Sequence, residues 1–173
     1  MKRWKWLCII VIVCSLAGCW DRKEINEVSI VSGITLEKET SGDITLTVEV
    51  VNSPELSQQA EGFTPVITYS DTGKTMSELL NKMNKGLARN LVFSHLQTVI
   101  IDENLAREGI GPYLQYIEKD ARFRSDFILL VSKGVKASDV VKTAYPVHKV
   151  PSLKLFNQFE TVKERWGDFP ILL

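Results

Sequence analysis

Cysteine is scarce in this chain, and all of it lies near one end. Cys8, Cys14 and Cys19 fall within the first nineteen of the 173 residues. The rest of the chain has no thiol for a disulfide or a cysteine-based metal site, so its stability must come from its core. Histidine is almost as scarce: His95 and His148 are the only two, and two isolated histidines do not make a metal site.

Neither sign of charge predominates, and long hydrophobic runs are missing. The chain has 21 basic and 21 acidic residues, with no basic stripe along it, which argues against nucleic acid as a partner. The apolar run from Trp6 to Gly18 has thirteen residues. A transmembrane helix needs about 20, so this run is too short to span a bilayer.

That short run has the layout of a secretory signal peptide. Lys2, Arg3 and Lys5 precede it, and small residues end it. The ending Leu16-Ala17-Gly18-Cys19 resembles the lipobox of bacterial lipoproteins, whose cysteine receives a diacylglyceryl group before cleavage. A plain secreted protein would need no cysteine there. The sequence therefore predicts lipidation of Cys19 and a domain held to membrane lipid outside the cytoplasm.

The predicted mature chain has the size of one domain. Removing residues 1–18 leaves 155 residues, and the loss of three basic residues leaves 18 against 21 acidic ones. We expect residues 19–27 to form a short membrane-proximal lead, because they are mostly polar. Residues 28–173 are then predicted to form a single mixed α/β domain.

The first part of this domain predicts an antiparallel hairpin. Val28 to Lys38 is rich in β-branched residues, and Thr40 to Asp43 contains the glycine of a turn. Residues 44 to 51 then alternate between apolar and polar positions, which predicts an antiparallel hairpin with one face buried. The apolar positions are Ile44, Leu46, Val48 and Val50, and the polar ones are Thr45, Thr47 and Glu49.

The remainder alternates between strands and helices, which predicts a mixed sheet with helices packed on it. A loop over 53–65 precedes a strand over 66–70. Thr75 and Glu78 form a capping box that opens a helix. Its apolar stripe is Met76, Leu79, Leu80, Met83, Leu87 and Leu91. The later elements are predicted as a strand over 96–102, a turn of helix over 104–108, a helix from Pro112 to Ala121, a central strand over 127–131 buried on both faces, and helices capped by Ser138 or Asp139 and by Ser152.

No residue pattern predicts an active site or a cofactor. A P-loop would need glycine where Thr68 stands, five residues before Gly73, so Gly73-Lys74-Thr75 does not match one. Ser94 and His95 are adjacent on the way into a strand and cannot form a dyad, since neighbouring side chains point to opposite faces. We expect His95 to tie a loop end to the strand by hydrogen bonds, and Asp102-Glu103 to be solvated surface. The chain is predicted not to be an enzyme.

Several segments in order resemble one family. Cys19 to Ile25 resembles the C-W-D-x-x-E-I opening of the Ger(x)C family, the lipoprotein subunits of germinant receptors in spore-forming bacteria. Val31 to Ile34 resembles its first strand, and Glu103 to Ala106 its E-x-x-A stretch. The motif or contact residues that this resemblance implies are Trp20, Asp21, Glu24, Ile25, Gly73, Thr75 and His95.

The resemblance implies a function that composition cannot supply. It implies a non-enzymatic interaction subunit in nutrient-triggered spore germination, beside integral-membrane receptor subunits at the inner membrane of the spore. Family members have several mixed α/β domains, so this shorter chain is expected to correspond to their N-terminal domain without the C-terminal ones. The alternative function is a small extracytoplasmic solute-binding lipoprotein, although clefts for solutes usually form between domains or at a switch point of a sheet.

Overall fold

Strands and helices alternate along the chain once a three-stranded meander is complete. The computed structural model describes residues 28–51, 66–87, 89–143 and 150–166. Within these ranges the strands are β1 (Val28–Lys38), β2 (Ile44–Val51), β3 (Val66–Gly73), β4 (Asn90–Val92), β5 (Thr98–Asp102) and β6 (Ile128–Ser132). The helices are α1 (Met76–Gly86), α2 (Glu103–Glu108), α3 (Gly111–Lys119), α4 (Ala137–Lys142) and α5 (Pro151–Trp166).

The strands form one mixed sheet in the order β3-β2-β1-β5-β6. β1, β2 and β3 are antiparallel neighbours, whereas β5 and β6 run parallel to β1. Gly42 lies in the β1–β2 turn with a φ of 89°, a conformation that favours glycine because it has no Cβ. The predicted hairpin and the predicted mixed α/β fold are both confirmed.

The main core lies on one face of this sheet, under the first three helices. The even-numbered side chains of β2, which the alternation assigned to the core, are all buried there. α1 adds the predicted stripe, whose members Met76, Leu79, Leu80 and Met83 are at most 4 % exposed. Leu105 of α2 and Ile117 of α3 complete this face.

The predicted continuation of the α1 stripe to Leu91 is wrong. The helix ends at Gly86, and Asn90–Val92 forms β4, which pairs in parallel with Val28–Ile30 of β1. Leu91 is still buried in the main core, but from a strand. A leucine at helical spacing cannot reveal this change, because both elements direct it to the same core.

The opposite face of the sheet is polar, and it is buried as well, whereas the alternation in β2 predicted one buried face. Thr47 and Glu49 are 0 % exposed. α4 and α5 lie on this face, where Ile100 packs against Ala137 and Val141. Thr47 and Ser70 share a hydrogen bond of 2.8 Å between their hydroxyl oxygens, which satisfies the buried Thr47 hydroxyl.

β6 lies at one edge of the sheet, which corrects the prediction of a central strand buried on both faces. It pairs only with β5 among the described strands. Leu129 and Val131 are 37 % and 49 % exposed. An unbroken apolar run gave no sign of this, because its composition suits a central strand.

The predicted caps of the last two helices are also wrong. α4 begins after Lys136, which makes no side-chain cap, and Ser138 lies inside the first turn. α5 begins at Pro151, so Ser152 too lies inside the helix. Two carboxylates of the sheet bind these helix starts instead. The predicted loop over 53–65 and the apolar end after residue 166 lie outside the described residues.

Candidate functional site

The residues predicted to meet the membrane all precede the part of the chain that the structure describes. The lipidation site Cys19 and the four motif residues after it are therefore still predictions; those four are Trp20, Asp21, Glu24 and Ile25. Among the described residues, no helix is both long and apolar enough to cross a membrane.

Gly73 and Thr75 form the junction between β3 and α1. The Thr75 hydroxyl accepts a hydrogen bond of 3.2 Å from the Glu78 amide, as a helix cap does. The Glu78 carboxylate accepts from the Lys74 amide at 3.0 Å, one residue before the amide that a capping box would use. A Cβ on Gly73 would lie 3.1–3.2 Å from the side chains of Glu78 and Leu79. Both motif residues therefore shape the start of α1, and neither is placed to bind a ligand.

His95 lies in the turn that leads from β4 to β5, and its side chain is exposed. That turn is closed by a backbone hydrogen bond of 3.0 Å from the Leu96 amide to the Phe93 carbonyl. The imidazole makes no hydrogen bond to any described residue, so the expectation that it ties the loop to the strand is wrong. Exposure leaves His95 available for contact with another molecule.

Sequence analysis missed the most deeply buried charge on the polar face, Glu49. Its carboxylate accepts hydrogen bonds from the Ser32 hydroxyl at 2.6 Å, from the Ser152 amide at 3.3 Å and from the Ser152 hydroxyl. Burial raises the pKa of Glu49 above its ordinary value, and the bonds from Ser152 and Ser32 offset part of that rise. We call these three residues the Glu49 network; it joins β1, β2 and the first turn of α5.

A bulge in β1 brings Ser32 into this network. Val31 pairs with Val50 and Gly33 pairs with Glu49, so Ser32 is the additional residue on its strand. Thr98 of β5 adds a further bond, from its hydroxyl to the Ser152 carbonyl at 2.9 Å. No sequence signal points to this arrangement, because Glu49 and Thr98 precede Ser152 by 103 and 54 residues.

Gly33 allows α5 to lie this close to the sheet. A Cβ on Gly33 would lie 2.7 Å from the Ser152 Cβ, which is closer than real contacts allow. We expect Gly33→Ala to cost about 1–3 kcal/mol of unfolding free energy, as overpacking does. Chemical denaturation of the full chain measures this. In a Ser152→Gly background the same substitution should cost less, and an equal cost would contradict the contact.

The described surface offers contact area rather than a metal centre. Within the described ranges, no three His, Cys, Asp or Glu side chains lie close enough to hold a metal ion. Three large apolar side chains lie exposed at or just after β6: Leu129, Val131 and Val135. An edge strand with apolar neighbours and no charge of its own can accept a strand from another chain. We call this surface the β6 edge.

Comparison with known proteins identifies relatives with one kind of role. A family model described as the spore germination protein N-terminal domain matches residues 21–171. Spore germination protein KC of Bacillus subtilis is 28 % identical over 165 residues, covering 92 % of this chain and 40 % of that protein. Spore germination protein B3 of the same organism is 25 % identical over 157 residues, covering 88 % of this chain and 41 % of the relative.

A third relative agrees, spore germination protein A3 of Bacillus subtilis, 26 % identical over 136 residues, or 75 % of this chain and 36 % of that protein. The chain thus spans about two fifths of the length of these curated relatives. No solved structure matches the chain. Because the family model covers residues 21–171, the chain belongs to the Ger(x)C family of spore germination proteins, through their N-terminal domain.

Proposed function

We propose that this chain is a membrane-anchored lipoprotein component of a spore germinant receptor and that it acts by contact, without catalysis. The observation that carries the proposal is one order of segments: a lipobox ending at Cys19, directly followed by a domain of the spore germination family over residues 21–171. The curated relatives are spore germination proteins, and none of the names given above refers to an enzymatic activity.

The anchor would keep the domain close to the bilayer. Two acyl chains hold a protein stably at a membrane, whereas one holds it only marginally. Nine residue steps separate Cys19 from the start of β1 at Val28. Even fully extended they reach roughly 30 Å. Partners of the domain would therefore be membrane proteins or proteins at the membrane surface, as integral-membrane receptor subunits are.

The exposed groups of the domain suit contact with such subunits. Among the described strands, β6 pairs with β5 on one side only, and Leu129 and Val131 beside its other edge are exposed. Polypeptide strands bind edges of this kind through main-chain hydrogen bonds, and side-chain pockets add specificity.

Val131→Lys would place a charge on this edge. The substitution should weaken co-purification of the chain with the membrane subunits without unfolding the domain.

We expect Cys19→Ala to abolish lipid attachment, because it removes the sulfur that takes the diacylglyceryl group. Labelled palmitate should enter the wild-type chain and the control Cys14→Ala, which keeps the lipobox intact, but not Cys19→Ala. The Cys19 variant should also leave the membrane fraction, and spores that carry it should lose the response to at least one nutrient.

Two results would contradict this proposal separately. Equal palmitate labelling of Cys19→Ala and wild type would refute the anchor. Full nutrient response of spores that lack the whole chain, tested against a broad nutrient panel, would refute the receptor role while leaving the anchor intact.

A further inference from the structure

A cleft opens at the carboxyl ends of the three parallel strands β1, β5 and β6. Its volume is about 370 Å³, within the range of small-ligand sites. We call it the carboxyl-end cleft. The lining residues that bear on its chemistry are Glu37, Lys38, Asp102, Ser132 and Lys136.

The topology explains why the chain leaves a crevice at this place. α2 follows β5 and packs Leu105 into the main core with Ile101. α4 follows β6 and packs Ala137 against Ile100, on the opposite face of the sheet. Neighbouring parallel strands whose following helices leave to opposite faces define a switch point, and ligands of open α/β sheets bind outside the carboxyl ends of the strands at such points.

Glu37 is a buried carboxylate in this cleft that forms no ion pair with a described residue. Its side chain is 7 % exposed and accepts a hydrogen bond from the Ser138 amide at the start of α4. No described lysine, arginine or histidine forms an ion pair with it. Burying an unpaired carboxylate is costly, and proteins normally compensate with a cation or several hydrogen bonds. One backbone amide is an incomplete set of partners.

The other lining groups add acceptors. Ser132 is 7 % exposed, lines the cleft, and its hydroxyl has no partner among the described residues. Acidic residues outnumber lysines four to two: Glu37, Glu39, Asp102 and Glu103 against Lys38 and Lys136. Lys38 is bound to Glu108, which leaves Lys136 as the cation of the lining without an ion pair in the described structure.

Asp102 does not share the role of Glu37. Contrary to the solvated surface expected from sequence, it is 9 % exposed and caps α2, accepting from the amides of Asn104 and Leu105 at 3.1 and 3.3 Å. The Lys38 amide adds a bond of 3.0 Å. Its oxygens are satisfied, whereas the Glu37 carboxylate has the Ser138 amide as its one hydrogen-bond partner among the described residues.

We propose that the carboxyl-end cleft binds an ammonium or guanidinium group, with the Glu37 carboxylate as its counter-ion and the Ser132 hydroxyl as an additional acceptor. The cation can come from a lysine or arginine side chain of a partner protein or from a small free amine. Either source presents the same chemistry to Glu37: a positive charge with N–H donors, which bonds to a carboxylate more strongly than neutral groups do. The site does not depend on the receptor role proposed above.

The test is a titration of the full chain, purified in mild detergent, followed by NMR of its backbone amides. The probe is a peptide, acetyl-Gly-Arg-Gly-amide, and its neutral twin carries citrulline in place of arginine. We expect saturable shifts of the amides around Glu37 and Ser138 with the arginine peptide only. Equal shifts with the citrulline peptide, or no saturable shift with any probe, would overturn the proposal.

Two variants test the assigned residues. Glu37→Gln removes the charge but keeps an oxygen that can accept from the Ser138 amide, so the domain should stay folded while affinity falls by about tenfold or more. Ser132→Ala should weaken binding less. Glu118→Gln removes an exposed carboxylate of α3 outside the cleft and serves as the matched control. Unchanged affinity of Glu37→Gln would refute the role of Glu37.

A second titration, with methylamine and guanidinium ions, distinguishes the two sources. Free ions that bind as tightly as the peptide would identify a small amine as the ligand. Binding of the peptide at concentrations where the free ions do not bind would identify a partner side chain. Both results support the cationic site.

Discussion

Leu80→Ala should destabilise the domain by about 2–5 kcal/mol, because it removes a side chain that is 1 % exposed in the main core. Leu80 lies in the middle of α1, whose inner face also buries Leu79 and Met83. The loss combines the transfer free energy of the removed carbon atoms with the cost of the cavity left behind. Urea denaturation of the full chain measures this loss of stability. An m-value that is the same in wild type and variant indicates that both unfold in one two-state transition.

Lys82→Ala on the same helix is the matched control. Its side chain is exposed and forms an ion pair with Glu78, four residues earlier, at 2.7 Å. Exposed pairs of this kind contribute little to stability, so the unfolding free energy should hardly change. Similar losses from Leu80→Ala and Lys82→Ala would mean that the assigned inner face of α1 is wrong.

The parts of the fold that sequence predicts are those where one local pattern has one structural meaning. Alternation in β2 correctly assigns Ile44 and Leu46 to the core, because only one face of that strand could bury apolar side chains there. The Thr75 cap and the leucine spacing likewise fix the start and the phase of α1. Position in the sheet is different, since it depends on neighbours that are distant in sequence.

The errors arise where two structures share one pattern. β6 is apolar throughout, as a central strand would be, but the chain turns at Gly134, with a φ of 73°, into α4, and no described strand pairs beyond β6. Glu49 occupies a polar position of an alternating strand, which normally faces water. Its burial results from α5, about 100 residues later, and no local rule relates Glu49 to Ser152.

Of the candidate site, sequence supplied the motif residues and the capping role of Thr75, but not the role of Gly73 or the exposure of His95. Gly73 and Thr75 matched the family pattern, and the structure places both at the start of α1, where they have a structural role. The position of Glu37 in the sequence does not predict its burial, because a carboxylate near the end of a strand is usually solvated. Only the positions of α4 and β5 around it make it a buried group in a cleft.

The Glu49 network should be the most sensitive polar feature of the domain. Glu49→Ala leaves the Ser152 hydroxyl and amide without their carboxylate acceptor, and the Ser32 hydroxyl keeps only its longer bond of 3.4 Å to the carbonyl of residue 49. Unsatisfied buried donors cost about 1–3 kcal/mol each, and relief of the buried charge offsets part of this, so we expect a net loss of about 2–3 kcal/mol. Glu49→Gln keeps an acceptor oxygen and should cost less. Hydrogen exchange of the first turn of α5 should rise more in the alanine variant.

The pH dependence of the same variants identifies the buried charge itself. Burial raises the pKa of Glu49 in the folded state, so between its unfolded value near 4.5 and that higher value the native protein holds more protons than the unfolded chain. Stability from this group is therefore full below about 4.5 and declines as pH rises through the folded pKa. Glu49→Gln has no such titration, so the unfolding free energy of wild type minus that of the variant should fall as pH rises above 4.5.

Other carboxylates do not disturb this comparison. Asp120, for example, has its pKa lowered to about 2 by Arg122, so its effect on stability has the opposite sign, but it is present in both proteins and cancels in the difference. Ser32→Ala removes a hydrogen bond that lowers the pKa of Glu49. The stability of the Ser32→Ala variant should therefore keep declining to a higher pH than that of wild type. A difference that stays flat or rises with pH would show that Glu49 is not buried as a titrating carboxyl group.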